Sequence, residues 1–60
     1  MEWVKKIRIE KGFAQQDVAN AAGVARGAYA IIENGSRRPS VDMAKKIAAV
    51  LGFDWTKFFE

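Results

Sequence analysis

The sequence predicts an all-α fold in which short helices pack as one compact bundle. Apolar residues recur at spacings of three and four along most of the chain, which is the period of an amphipathic α-helix. No stretch bounded by turn residues alternates between apolar and polar positions with the period of two that marks a strand. Four glycines each follow a helical stretch, where glycine accepts the left-handed conformation that ends a helix: Gly12, Gly23, Gly35 and Gly52.

The composition limits the size of the core. The 60 residues are enough for a single domain, residues 1–60, and half of them are hydrophobic. A domain of this length buries only roughly 60% of the surface that its unfolded chain exposes. The sequence contains no cysteine, so no disulfide can supplement the core. Stability therefore has to come from side-chain packing, together with any oligomerisation.

The first two helices are predicted from short apolar stripes. Val4 and Ile7 mark a helix over roughly residues 2–11. Val18, Ala19 and Ala22 mark a second helix over roughly residues 15–22.

A third helix follows over roughly residues 26–34 and turns Tyr29 and Ile32 to one face. Gly27 lies inside it, where glycine costs about 1 kcal/mol relative to alanine. The residues before the second and third helices are Ala14 and Ala25, whose side chains have no oxygen to cap a helix. Each helix therefore lacks about 1 kcal/mol of the stabilisation that an N-cap side chain provides. We therefore expect the third helix to be loosely held.

The fourth helix is predicted after Pro39, with Ser40 as its N-cap and Asp42 in its first turn. Its buried stripe consists of Met43, Ala44, Ile47, Ala48 and Leu51. A last short helix begins after Asp54 and is rich in aromatic residues.

The second and third helices meet the requirements of a helix-turn-helix over about residues 15–34. Ala19 is small enough to let the helices approach, Gly23 supplies a sharp turn, and Val24 fills the corner. In such a unit the third helix can enter the major groove of DNA while the second lies across the phosphate backbone.

At these positions the chain resembles the Cro/repressor-type, XRE-like helix-turn-helix proteins of phages and bacteria. The resemblance is carried by Arg8 and Gly12, Gln15 through Ala19, Gly23-Val24, Ile32-Glu33-Asn34-Gly35, Arg38-Pro39-Ser40 and Leu51-Gly52. It implies a five-helix bundle of the lambda-repressor-like type and homodimers that bind palindromic operators. It also implies a buried ion pair between Arg8 and Glu33 beneath the recognition helix, and a DNA backbone contact from Gln15.

A phosphate-binding surface is predicted around the end of the third helix. The net charge of +3 is compatible with nucleic acid, although many other soluble domains are equally basic. Arg37 and Arg38 follow the third helix directly, and loop amides near them can also bind phosphate. The predicted phosphate contacts are Gln15, Asn34, Ser36, Arg37 and Arg38.

The predicted base-contacting positions are Arg26, Gly27, Ala30 and Ile31, and only the first is polar. Arg26 can bind the O6 and N7 atoms of guanine or can hold a phosphate instead. The other three offer only close approach and apolar contact with a thymine methyl group. Three explanations stay open: recognition dominated by DNA shape, loss of DNA binding in favour of a protein partner, or deliberate amino-acid substitution in an ordinary repressor.

The aromatic C-terminus predicts a dimer interface formed by Trp55, Phe58 and Phe59. Two alternatives are that all of these rings belong to the core, or that they join this domain to another in a longer chain.

The sequence therefore predicts a sequence-specific transcriptional regulator, a repressor, that binds double-stranded DNA as a homodimer. The alternative is a helix-turn-helix module that mainly binds protein, as an antitoxin or anti-repressor partner does. An enzyme is not expected, because histidine and cysteine are absent and no metal-binding cluster is present. We expect no cofactor, no small-molecule substrate and no membrane association, and a cytoplasmic location.

Overall fold

Four α-helices and one 3₁₀ helix make up the computed structural model, which describes all 60 residues. The α-helices are α1 (Glu2–Glu10), α2 (Gln15–Ala22), α3 (Arg26–Glu33) and α4 (Val41–Leu51). The 3₁₀ helix spans Trp55–Phe59. The all-α class is confirmed, but the count of five α-helices is not, since the last element is a single tight 3₁₀ segment. No helix is both long enough and apolar enough to cross a bilayer.

Glycine ends the helices at the predicted places, and all four of the predicted stops have positive φ. Gly23 ends α2 in the left-handed conformation, at φ 72° and ψ 33°, and its N–H bonds to the carbonyls of Ala19 and Asn20. Another residue would be strained at this φ, because a Cβ crowds the backbone there. Gly23 therefore sets the sharp angle at which the chain leaves α2 for α3.

The helix starts differ in how they are capped. Ser40 Oγ accepts a hydrogen bond of 3.1 Å from the N–H of Met43 at the start of α4. Ala14 and Ala25 provide no side-chain cap for α2 and α3, as predicted. At α2, Asp17 Oδ2 accepts the N–H of Ala14 at 2.7 Å, which closes half of a capping box.

The core lies where α2, α3 and α4 meet α1 and the 3₁₀ helix. Its largest fully buried side chains are Val4, Val18, Tyr29, Ile47 and Leu51. Ala19 and Ala44, also buried, are small enough to let the helices pack closely. Because α2 packs against both α3 and α4, it joins α3 to the body of the bundle.

Phe58 belongs to this core, because only 5% of its surface is exposed. Its ring centroid lies 5.2 Å from that of Trp3 and 5.3 Å from that of Phe53. These three rings close the bundle at the end where α1 and α4 meet the C-terminus. The prediction that Phe58 forms part of a dimer interface therefore needs correction, since its ring is used inside the monomer. Trp55 and Phe59 are half-buried and keep part of their surface outside.

Candidate nucleic-acid interface

The third helix packs one side against the bundle and turns the other outward. Tyr29, Ile32 and Glu33 are buried on the inner side. Arg26 and Gly27 are exposed on the outer side, as is Ile31, which keeps 37% of its surface accessible.

Ala30, one of the predicted base-contacting positions, is half-buried. Its position on the helix wheel is between the outward centre and the buried edge of α3. Ala28 is half-buried on the opposite flank.

Glu33 is the centre of a buried hydrogen-bond network beneath α3. Arg8 Nε donates to Glu33 Oε1 at 2.6 Å, and Arg8 Nη2 lies 3.5 Å from Oε2. Gln15 Nε2 donates to Oε2 at 2.8 Å, and the hydroxyl of Tyr29 donates to Oε1 at 2.9 Å. The structure thus brings together the pair that the resemblance implied, and it adds two donors that the sequence reasoning missed. The contact of Tyr29 could have been predicted, because Tyr29 and Glu33 are four residues apart on one helix and residues at that spacing are neighbours.

The network holds Glu33 as a carboxylate. Burial alone would raise its pKa, but the hydrogen bonds from Arg8, Gln15 and Tyr29 outweigh burial and hold the pKa of Glu33 below its usual value. The hydrogen bond to Glu33 raises the pKa of Arg8. Burial, reinforced by the hydrogen bond to Glu33, raises the pKa of Tyr29. All three side chains therefore keep fixed protonation states at neutral pH, and α1, α2 and α3 are joined through one charged centre.

Gln15 and Asn34, two of the predicted phosphate contacts, use part of their hydrogen-bonding capacity inside the chain. The amide of Gln15 donates one of its two N–H groups to Glu33. Asn34 Oδ1 accepts the N–H of Ser36 at 2.9 Å, which shapes the loop after α3 and leaves the Asn34 NH₂ group unused by that bond. Each side chain is oriented by the fold and still has a donor to offer.

The loop between α3 and α4 folds back on the helix and presents two arginines. The N–H groups of Ser36 and Arg37 both bond to the carbonyl of Ile31, at 3.0 and 3.3 Å. Arg37 and Arg38 are exposed. Together with Ile31 and Met43 they line a groove of about 290 Å³ between α3 and the start of α4.

Arg38 also contacts the C-terminal aromatic segment. Its guanidinium carbon lies 5.8 Å from the ring centroid of Phe59, within the range of a cation–π interaction. Phe59 in turn meets Trp55 edge-on at 6.1 Å, and Lys45 Nζ lies 5.1 Å from the centre of the Trp55 ring. The predicted phosphate loop and the predicted dimer surface are therefore in contact, whereas Arg26 stands at the first turn of α3.

Known proteins are similar to this chain in sequence and in fold. A helix-turn-helix family model matches residues 4–58. The chain is 59% identical over 59 residues to the uncharacterized HTH-type transcriptional regulator YqaF of Bacillus subtilis strain 168, covering 98% of this chain and 78% of that protein. It is 31% identical over 49 residues to the cryptic phage CTXphi transcriptional repressor RstR of Vibrio cholerae, covering 82% of this chain and 44% of that protein.

A solved structure is also similar. The N-terminal DNA binding domain of SinR from Bacillus subtilis superposes with a TM-score of 0.87 at 30% sequence identity, over 98% of this chain and 87% of that one.

Proposed function

The chain belongs to the XRE-type helix-turn-helix family of DNA-binding transcriptional regulators, and from this premise we propose that it is a repressor that binds a palindromic operator as a homodimer. One relative is named as a transcriptional repressor, and the similar solved domain is named for DNA binding. We take residues 1–60 as one DNA-binding domain, with the helix-turn-helix formed by α2 and α3.

The observation that carries the proposal is the position of the exposed arginines around α3. Arg26 is exposed at the start of α3, and Arg37 and Arg38 are exposed in the loop that folds back on its end. This arrangement suits a helix that enters the major groove, where Arg26 can reach a base edge and the two loop arginines can reach the phosphate backbone.

The residues divide into two roles in this proposal. The phosphate contacts are Gln15, Asn34, Ser36, Arg37 and Arg38. The base-edge positions are Arg26, Gly27, Ala30 and Ile31, and the half-burial of Ala30 limits it to a contact at the edge of the interface.

The homodimer is proposed through Trp55 and Phe59, without Phe58. Both rings are half-buried in the monomer and stand next to each other. An isologous contact there would cover their remaining apolar surface.

The test is selection of bound duplexes from a random pool, followed by affinity measurement on the preferred sequence. We expect two half-sites in inverted repeat with centres about 34 Å apart, one turn of DNA. Log K should fall by about 0.9 per phosphate contact for each tenfold rise in salt.

Two substitutions separate the proposed roles. Arg37→Ala should weaken binding to all sequences alike and reduce the salt slope by about one, because it removes a phosphate contact. Arg26→Ala should reduce discrimination at one base pair by about 1–3 kcal/mol, and an unchanged operator preference would contradict a base contact by Arg26. Random recovery from the pool would contradict specific DNA binding, and a single unpaired half-site would contradict the dimer.

A second candidate function is a module that mainly binds protein and binds DNA weakly. The observation that favours it is the apolar outer surface of α3 around Ile31, which continues into the groove beside Met43. Retention on random duplex DNA at low salt separates the two, because a phosphate-binding face predicts retention and a protein-binding face does not.

A further inference from the structure

The outward face of α3 contains a glycine that the fold does not require. Gly27 is outside the group of glycines with positive φ, so its backbone is open to any residue. A Cβ placed on Gly27 would meet no other atom within 4 Å. Alanine would fit there and would favour the helix, since glycine is the poorer helix former. Neither the backbone nor the packing of the monomer explains why this position lacks a side chain.

Ile31 lies one helical turn after Gly27 and is one of the few large apolar side chains that the monomer leaves exposed. Residues four apart lie on the same face of a helix, so Ile31 borders the open space at Gly27 without filling it. Ala30 flanks the two. From Arg26 to Asn34, the outward face of α3 therefore has no side-chain hydrogen-bond donor or acceptor between its ends.

The surroundings of this apolar face indicate what kind of partner fits it. Arg26 is exposed at one end, and Arg37 and Arg38 are exposed at the other. Cations on both sides of an apolar face fit an anionic partner that presents an apolar group between its charges. On the major-groove edge of DNA bases, the apolar group is the C5-methyl of thymine. The same methyl group is present on 5-methylcytosine.

Building on the DNA-binding function proposed above, we propose that the outward face of α3 selects operators by pyrimidine 5-methyl groups. Ile31 contacts the methyl group, and Gly27 lets the base-pair edge approach the helix backbone. Specificity then comes from shape and burial of the methyl group, with hydrogen bonding supplied at the ends of the helix.

The experiment replaces each thymine of the preferred duplex in turn by deoxyuridine, which removes the methyl group and keeps every hydrogen-bonding atom. At one or two positions in each half-site we expect the dissociation constant to rise about fourfold, the equivalent of about 0.8 kcal/mol for one buried CH₂ group. At the same positions, 5-methylcytosine opposite guanine should bind more tightly than cytosine opposite guanine. The first arm thus tests the methyl group of thymine, and this second arm tests that of 5-methylcytosine.

Variants of the chain assign the effect to residues. Ile31→Ala should bring the thymine-to-deoxyuridine ratio close to one, and Ile31→Val, the matched control, should retain a ratio above one. Gly27→Ala should raise the thermal midpoint by several degrees and yet weaken binding to the preferred duplex, because the added methyl group occupies the space for the base pair. A merely structural role for Gly27 would not separate stability from affinity in this way.

The outcomes separate this inference from the function on which it rests. Equal affinity for thymine and deoxyuridine at every position of a specifically bound duplex would overturn methyl recognition and leave the repressor intact. A thymine preference that persists in Ile31→Ala would overturn the role of Ile31. Failure to select any preferred duplex would overturn the proposed function, and methyl recognition with it.

Discussion

A single carboxylate, that of Glu33, joins three helices of the bundle. It accepts hydrogen bonds from Arg8 on α1, Gln15 on α2 and Tyr29 on α3. Only 5% of the Glu33 side chain and 12% of the Arg8 side chain are exposed. A pair at this depth has lost most of its hydration, so removing one partner leaves an uncompensated charge. Because Gln15 is also a proposed phosphate contact, the network fixes α3 and part of the proposed DNA-binding surface together.

A double-mutant cycle measures this coupling. Arg8→Met and Glu33→Gln should each cost about 3–5 kcal/mol, while the double variant should cost much less than their sum because no buried charge is left unpaired. The readout is the free energy of unfolding in urea at low temperature. The free energy of unfolding of a chain of this length is only about 3–9 kcal/mol in total, so the single variants should be close to unfolding. Additive losses in the double variant would show that the two residues are not coupled.

The same pair should respond to acid in a defined direction. The pKa of Glu33 is lowered in the folded chain, so its contribution is fully present above the unfolded value of about 4.3. The contribution is lost as pH falls through the lower folded pKa. The coupling measured by the cycle should therefore be the same at pH 7 and pH 5 and should shrink below about pH 4. A coupling that already declines between pH 7 and pH 5 would mean that the carboxylate is not held by these donors.

At the scale of elements, the two halves of the helix-turn-helix are held by different means. The turn into α3 is set by Gly23, whereas α3 itself begins at Ala25 without a side-chain cap. The helix stays in place because Tyr29, Ile32 and Glu33 are buried along its inner side. Tertiary packing, and not local capping, therefore keeps α3 folded.

Capping substitutions test this difference. Ala25 has an extended backbone, at φ −69° and ψ 143°, and is exposed, which suits a capping serine. Ala25→Ser should stabilise the chain by about 1 kcal/mol, because its hydroxyl can accept an N–H of the first turn. Ser40→Ala, the matched control, should destabilise it by about the same amount, since it removes the bond from Met43.

Thermal unfolding monitored by circular dichroism gives the measurement. The two midpoints should move in opposite directions by about 4–8 °C. An unchanged midpoint in Ala25→Ser beside a lowered midpoint in Ser40→Ala would show that the start of α3 gains nothing from a cap.

The helices could be predicted from the sequence because their signals are local. The spacing of apolar residues and the glycines marked all four α-helices to within about a residue at each end. The 3₁₀ geometry of the last segment could not be predicted, because four aromatic residues in seven positions are compatible with several tight helical turns. Phe58 and Trp55 look alike in sequence, and only the positions of Trp3 and Phe53 decide which ring is buried.

The whole molecule measures 25 × 21 × 19 Å, and this size bears on the proposed dimer. Recognition helices about 34 Å apart lie about 17 Å from the two-fold axis between them. That distance is shorter than the longest dimension of one protomer, so contact at one end of the body is compatible with the spacing. The C-terminal segment contacts Arg38 through Phe59, so a dimer formed there would also hold the phosphate loop near the axis.

Two exposed apolar surfaces compete for the role of interface, and charge substitutions distinguish them. One is the C-terminal pair Trp55 and Phe59, and the other is the outer face of α1, where Ile9 is 57% exposed. Trp55→Glu places a carboxylate near Lys45, which can pair with it in the monomer in place of the present cation–π contact. The same carboxylate would face its symmetry copy across a two-fold axis and oppose association. Ile9→Glu is the matched control on α1.

Sedimentation equilibrium across a range of concentrations, with and without the preferred duplex, checks the dimer. Trp55→Glu should sediment as a monomer under conditions where the unmodified chain and Ile9→Glu form dimers. On the full inverted repeat, Trp55→Glu should occupy the two half-sites independently, whereas the unmodified chain should occupy them cooperatively. The variant loses cooperativity because each half-site then has to be occupied without help from its neighbour. Dimers that persist in Trp55→Glu and disappear in Ile9→Glu would place the two-fold axis at α1 and contradict the C-terminal interface.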